Sequence, residues 1–256
     1  MLSKNKAKLI ISLQKKKERD LEGLYVIEGD KLVREFLSAG VKPNILVAKP
    51  EFLKSLPSDI LNNAVDVTEA SYEELKLISF LKTPHNALAV VPIPKTIMNA
   101  DEIYLNLSAA LDFVQDPGNL GTIIRAAAWF GIKNIICSDN CVDLYNPKVI
   151  QATMGAILHV NVFYSDLNDL LKKAREKRIS VFGTLLEGTS IYEQELDEKG
   201  IILLGNESKG ISEELKQYIT KKIKIPGANS ATTGIESLNV SMAAAVVFSE
   251  FMRRRG

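Results

Sequence analysis

The stretch SAALDFVQDPGNLGTIIRAAAWFGIKNIICS, residues 108–138, carries the pattern that decides the fold. Its opening SAALDFV is an apolar run without alternation, the mark of a strand buried on both faces, as in a parallel sheet. Pro117 and Gly118 then make a tight turn. NLGTIIRAAAWFG reads as a helix, with Asn119 placed to cap it and Gly121 and Thr122 at its start. KNIICS reads as the next buried strand. Parallel strands need a crossover between them, and a helix is the usual one.

Outward from this unit the same alternation continues. Downstream come NPKVIQATMGA (helix), HVNVFY (strand), LNDLLKKAREKR (helix), ISVFGTLL and GIILLGN (strands), SEELKQYI (helix), KKIKIP (strand) and a closing helix entered from Ser237. Upstream, KNKAKLIISLQKKKERD has helical spacing, LYVIEG, NILVAK and NALAVVPI read as strands, and DKLVREFLSAG and EASYEELKLIS read as helices. Between the halves, PIPKTIMNADEIYLN holds Pro92 and Pro94, which break regular structure. The expected organisation is therefore an N-terminal domain over 1–92, a linker over 93–106 and an α/β domain over 107–256.

The 256 residues are 46% hydrophobic and 25% charged, enough apolar mass for a sizeable core. With a net charge of +1, a nucleic-acid partner would have to be met by a local patch. Lys4, Lys6, Lys8, Lys15, Lys16, Lys17 and Arg19 supply a candidate, readable equally as a solvated helix face. Cys137 and Cys141, with His85 and His159 isolated in the sequence, make no metal or disulfide framework. No apolar run reaches membrane-spanning length and no secretory leader is present, so a cytoplasmic location without membrane attachment is expected.

Ligands of parallel α/β sheets sit at the C-terminal ends of strands, which directs attention to three loops. In DPGNLGTIIRAAAWFG, Arg125 beside free helix N–H groups would make an anion site, unless it is only an exposed helix arginine. In LLGNESKGIS, Ile211 stands where a phosphate-binding loop requires Lys, so nucleotide hydrolysis is disfavoured. Gly205 and Gly210 instead allow main chain to approach a ligand, and Glu207 adds a carboxylate. In KIPGANSATTGIESLNVS, Glu236, Ser237 and Asn239 crowd one turn with more polar groups than a helix cap needs.

The motifs DPGNLGTIIRAA, LLGNESKGI and IP…ESLNVSMA, in this order, resemble those of the SpoU, or TrmH-like, RNA ribose 2′-O-methyltransferases of the SPOUT superfamily. The resemblance spans residues from about 107 to the end, and EG at 28–29 with TPHNALAVV extends a similarity to the family's substrate-binding domain. It implies an α/β fold with a C-terminal parallel-sheet SPOUT domain containing a deep trefoil knot. It also implies a small N-terminal α/β domain like an RNA-binding ribosomal protein. S-adenosyl-L-methionine is the implied cofactor, RNA the substrate and a homodimer the active form. Carried over by motif position, Asn119, Arg125, Glu207, Ser237 and Asn239 are the implied catalytic residues. Thr184, Leu185, Gly205, Asn206, Gly210, Ile225 and Leu238 are the implied cofactor contacts. The sequence departs from the family pattern between Pro226 and Ser237, where the connection is longer.

The chemistry agrees with this assignment. A ribose hydroxyl must lose a proton as it attacks a sulfonium methyl, and no metal is required. Arg125 stays protonated, so it suits a clamp on the neighbouring phosphate, while Asn119, Ser237 and Asn239 orient the hydroxyl. Ribosomal RNA is favoured over transfer RNA because of the extra N-terminal domain. A transfer RNA enzyme and a catalytically silent RNA-binding protein are the alternatives.

Overall fold

A computed structural model of the chain describes residues 2–61, 64–227 and 237–255, with residue 59 described by its main chain alone. Glu236 and the long connection beyond Gly227 lie outside the described residues. The chain forms two compact units, one of Met1–Lys95 with Asp143–Leu158, the other of Thr96–Val142 with His159–Gly256.

The first unit holds β1 (Leu24–Glu28), β2 (Ile45–Ala48), β3 (Val67–Glu69) and β4 (Ala87–Pro92) in the sheet order β1-β4-β2-β3. Strand side chains alternate between faces, yet β1, β2 and β4 read as near-continuous apolar runs because both faces are covered, whereas the edge strand β3 (VTE) buries only Thr68. Tyr25, Ile27, Leu46 and Ala89 enter one core with Val33 and Phe36 of α3 (Asp30–Ser38). Val26, Val47 and Val90 enter another, with Ile10 of α1 (Lys4–Ser12) and Leu75 and Ile78 of α6 (Tyr72–Ile78). Gly40, at φ +81°, ends the α3 segment, and Ser71 and Glu74 form a reciprocal capping box at α6. Short helices α4 (Pro50–Lys54) and α5 (Ser58–Leu61) lie between β2 and β3.

The basic N-terminal stretch, expected as one helix, is broken into α1 and α2 (Lys16–Glu22). Arg19 explains the break: its Nη1 donates to the Leu13 and Gln14 carbonyls at 2.8 Å each, and its Nη2 meets Asp143 at 2.5 Å. Arg19 is only 2% exposed, so it leaves the expected basic patch and becomes a strut. Lys6 is likewise engaged, with Asp66 at 2.6 Å and Thr68 at 2.8 Å, whereas Lys4, Lys8, Lys15, Lys16 and Lys17 are exposed. Asp143 belongs to a segment that crosses back to this unit. There α9 (Pro147–Thr153) buries Ile150 in the core, Gln151 Nε2 donates to the Glu28 carbonyl at 2.6 Å, and Tyr145 packs 4.6 Å from Tyr25.

The second unit begins with α7 (Ala100–Leu105), a helix in the stretch read as free of regular structure. Asn99 caps it, accepting from the amides of Asp101 and Glu102. Its six strands are β5 (Leu107–Leu111), β6 (Asn134–Cys137), β7 (Asn161–Tyr164), β8 (Val181–Ser190), β9 (Gly200–Leu204) and β10 (Lys221–Lys224). They run in the order β10-β8-β9-β5-β6-β7 with every pair parallel. β8 and β10 pair in two registers, Lys222 with Gly183 and then Ile223 with Thr189, so residues 184–188 bulge from the ladder.

After α7, the helices of this unit among the described residues are α8 (Pro117–Trp129), α10 (Leu167–Glu176), α11 (Glu213–Lys216) and the closing α12 (Val240–Arg253). Val240, Ala244, Val247 and Phe251 form an apolar stripe of α12 that is buried within the chain, and the Phe251 ring lies 4.9 Å from Phe182. At the far end of α12, Glu250 binds Arg253 at 2.8 Å and Arg254 at 2.7 Å, and Arg254 also donates to the carbonyls of Ile191, Tyr192 and Gln194.

Arg19→Ala should lower stability by about 3 kcal/mol in urea unfolding, because it strands Asp143 and two carbonyls. Arg253, and after it Arg254, hold the Glu250 carboxyl at about 2, below its ordinary 4.5. A depressed carboxylate stabilises above its unfolded value and loses that contribution as pH falls through the folded one. The urea-midpoint gap between wild type and Glu250→Gln should therefore be full at pH 7 and vanish as pH falls from about 4.5 to about 2.

Candidate active site

The strand order reverses between β5 and β9. β6 and β7 extend the sheet on one side of β5, and β9, β8 and β10 extend it on the other. At such a switch point the loops leaving adjacent strands part and open a crevice. Here the loops after β5 and β9 are laced together. Asn206 Nδ2 donates to the Phe113 carbonyl at 2.9 Å, and Asp112 Oδ2 accepts from the Ser212 amide at 2.7 Å and its hydroxyl at 2.6 Å. Phe113 itself adopts φ +61°, unusual for an aromatic residue, with its amide held by Ser138 Oγ at 2.9 Å. Cys141 Sγ accepts from the Val114 amide at 3.3 Å and packs the same turn.

The β9 loop closes on itself. The amides of Asn206 and Gly210 donate to each other's carbonyls at 3.0 and 2.9 Å, while Asn206 Oδ1 accepts from the amides of Ser208 and Lys209. Gly205 is required by this closure, since a Cβ there would lie 2.3 Å from the Gly210 carbonyl carbon.

The third loop joins through side chains. Asn119 Nδ2 donates to Glu207 Oε1 at 2.6 Å, and Asn239 Nδ2 donates to Asn119 Oδ1 at 2.9 Å. Asn239 Oδ1 meanwhile accepts from the Ser241 amide at 2.9 Å and its hydroxyl at 2.6 Å. Asn239 is thus the cap of the closing helix. Two expectations are corrected. Asp116 caps α8, accepting from the Asn119 amide at 2.8 Å, which frees the Asn119 side chain for Glu207 and Asn239. And α8 begins at Pro117, so Arg125 stands more than two turns along it, away from the free N–H groups. Arg125 is exposed and makes no hydrogen bond or ion pair among the described residues.

Beside these loops opens a cavity of about 1290 Å³. Thr184, Leu185, Gly205, Asn206, Gly210, Ile225 and Leu238 all line it, together with Glu207 and Ser237. Asn119 and Asn239 reach it through the side-chain chain to Glu207, and Arg125 does not line it. The Thr184 hydroxyl donates to the Leu203 carbonyl at 3.1 Å where β8 leaves its register. Ile191, Ile211, Val240 and Val247 add apolar wall, and Lys209, Lys216, Lys222 and Lys224 add positive charge. Sequence reading missed the buried Asp112, although an acidic residue inside the apolar run SAALDFV was a visible signal.

The chain belongs to the SpoU rRNA methylase family, whose model matches residues 106–249; residues 4–89 match the MRM3-like substrate binding domain. It is 31% identical to the 23S rRNA (guanosine(2553)-2'-O)-methyltransferase RlmP of Bacillus subtilis, over 92% of this chain and 91% of that protein. Its fold is similar to that of a TrmH-family protein of Porphyromonas gingivalis (TM-score 0.87, 37% identity, 99% of each chain). It is also similar to an AdoMet-bound rRNA methyltransferase of Sinorhizobium meliloti (TM-score 0.84, 26% identity, 99% of this chain and 96% of that one).

Gly205→Ala should force the Asn206–Gly210 pair apart. Amide exchange at these two residues should rise roughly tenfold or more, measured by hydrogen–deuterium exchange; unchanged protection would mean the loop can absorb the Cβ.

Proposed function

We propose that this chain transfers the methyl group of S-adenosylmethionine to the 2′-hydroxyl of a ribose in ribosomal RNA. The observation that carries the reading is the cavity bounded by β8, the loop after β9, the end of β10 and the entry to α12, with Glu207 in its wall linked through Asn119 to Asn239. The residues present suit the cofactor. Main chain at Gly205–Gly210 and apolar walls at Leu185, Ile225 and Leu238 match an adenosine, and the Glu207 carboxylate offers a counter-charge to a cationic sulfonium. When bound, the cofactor supplies an electrophilic methyl group. Asn119 and Asn239, each fixed by partners, orient the ribose hydroxyl, with Ser237 beside them. Glu207 holds the Asn119 carboxamide in one orientation. Arg125, uncommitted within the chain, clamps the phosphate next to the target ribose, and that phosphate is a nearby acceptor for the hydroxyl proton.

The same reading takes residues 107–256 as a knotted SPOUT domain, 93–106 as a linker and 1–92 as the RNA-binding domain of a cytoplasmic homodimer. Support for the dimer comes from α8 and α12. Trp129 of α8 is 84% exposed and Met242 of α12 58% exposed, and α8 and α12 pack against each other, so we assign the partner to these helices. Trp129 is one helical turn beyond Arg125, so a partner seated on that face brings Arg125 to the subunit boundary.

Arg125→Ala should cut single-turnover methyl transfer by about a hundredfold or more while S-adenosylmethionine affinity stays near wild type. Near-normal turnover removes Arg125 from the mechanism. Asn239→Ala should cost about 1 kcal/mol as a lost cap and abolish transfer per folded molecule. A variant that melts early but methylates normally would leave Asn239 a cap alone.

A further inference from the structure

We infer that a second cavity, in the first unit, receives one nucleobase lifted out of the RNA strand; this rests on the reading of the substrate as RNA. The cavity, of about 410 Å³, lies where β1, the turn after α6 and α9 meet. Val26, Phe80, Leu81, Pro147 and Ala152 give it apolar and aromatic walls. Four of its lining residues fall within the stretch, 4–89, that matches a substrate-binding domain.

Apart from Lys148 and the second amide N–H of Gln151, its polar groups are acceptors. Glu28 is 5% exposed, and its carboxyl takes one hydrogen bond on each oxygen, from the Ser79 hydroxyl and from the Phe80 amide at 3.0 Å. No cation pairs with it among the described residues, so each oxygen keeps a lone pair. Gln151 spends an N–H on the Glu28 carbonyl, which leaves its Oε1 as a further acceptor. Lys148 also lines the cavity, is exposed, and makes no ion pair among the described residues.

These features call for a flat apolar body with N–H donors on its edge and an anion attached. An aliphatic chain would seal off the carboxylate with its remaining lone pairs and its charge uncompensated. A basic peptide side chain would meet Glu28 but be repelled by Lys148. A base on its phosphodiester backbone satisfies all three, stacking on Phe80, donating to Glu28 and pairing its phosphate with Lys148. Adenine, cytosine and guanine bear amino groups, whereas the two carbonyls flanking the uracil N–H would face the acceptors. An extruded base held here grips the RNA away from the catalytic crevice and sets its register.

The test uses the full chain, ribosomal RNA from cells lacking the gene, and homopolymeric oligonucleotides of adenosine, cytidine and uridine. Ala152→Phe fills the cavity, and Lys148→Glu alters only an exposed residue should the first variant fold poorly. Each should weaken ribosomal RNA binding roughly tenfold, the scale of one stacked base. S-adenosylmethionine affinity and the rate at saturating RNA should stay within about twofold. Wild type should prefer oligo(A) or oligo(C) to oligo(U), and Ala152→Phe should erase that preference. RNA affinity within about twofold in every variant that folds, or no base preference in wild type, overturns the inference. If the variants lose RNA affinity but wild type transfers no methyl group, the catalytic reading fails and the cavity assignment stands.

Discussion

The site depends on one run of side-chain hydrogen bonds, Glu207 to Asn119 to Asn239. It joins residues 88 and 120 positions apart in sequence. No local structure brings such residues together; the parallel sheet does, because its strands deliver all their following loops to the same end. Each carboxamide in the run uses both of its ends. Asn119 donates to Glu207 and accepts from Asn239, while Asn239 donates to Asn119 and accepts from the first turn of its own helix. Loss of any member leaves a donor or acceptor unmet, which costs more than the bond it made. The lacing beneath, Asn206 to the Phe113 carbonyl and Ser212 to Asp112, keeps the two loops at a fixed spacing so that the run can close.

The strands were legible because burial on both faces turns them into apolar runs, and β1, β2, β5 and β9 lie where those runs fall. Several helix ends were not. In DPGN both Asp116 and Asn119 are good caps, and local sequence cannot choose between them. The choice is made by Glu207, which takes the Asn119 side chain elsewhere. The break between α1 and α2 was hidden for a similar reason, since Arg19 captures main-chain carbonyls that a continuous helix would have used. That α9 packs beside β1 also depends on partners far off in the chain, Tyr25 and Glu28.

Within the site, loop position was informative and chemical role less so. The seven expected cofactor contacts all line one cavity because they sit in the bulge of β8, after β9 and β10, and at the entry to α12, and β8, β9 and β10 are neighbours at one side of the sheet. Arg125 was read as sharing an anion site with free helix amides, but the early start of α8 separates them. It is exposed and has no hydrogen-bond or ion-pair partner among the described residues, which is why the proposed mechanism turns it outward, toward RNA. The first unit shows the same economy. Two of its seven N-terminal cations are consumed internally, by Asp143 and Asp66, and Lys16 pairs with Asp20 at the surface, which leaves Lys4, Lys8, Lys15 and Lys17 exposed.

The most direct test of the account is a map of ribose 2′-O-methylation across ribosomal RNA, taken from cells with the gene, without it, and without it but carrying an Asn119→Ala allele. The account predicts that deletion removes a ribose methyl group, that the wild-type gene restores it, and that the Asn119→Ala allele does not. An unchanged ribose map, or the loss of a base methyl group in its place, would contradict it.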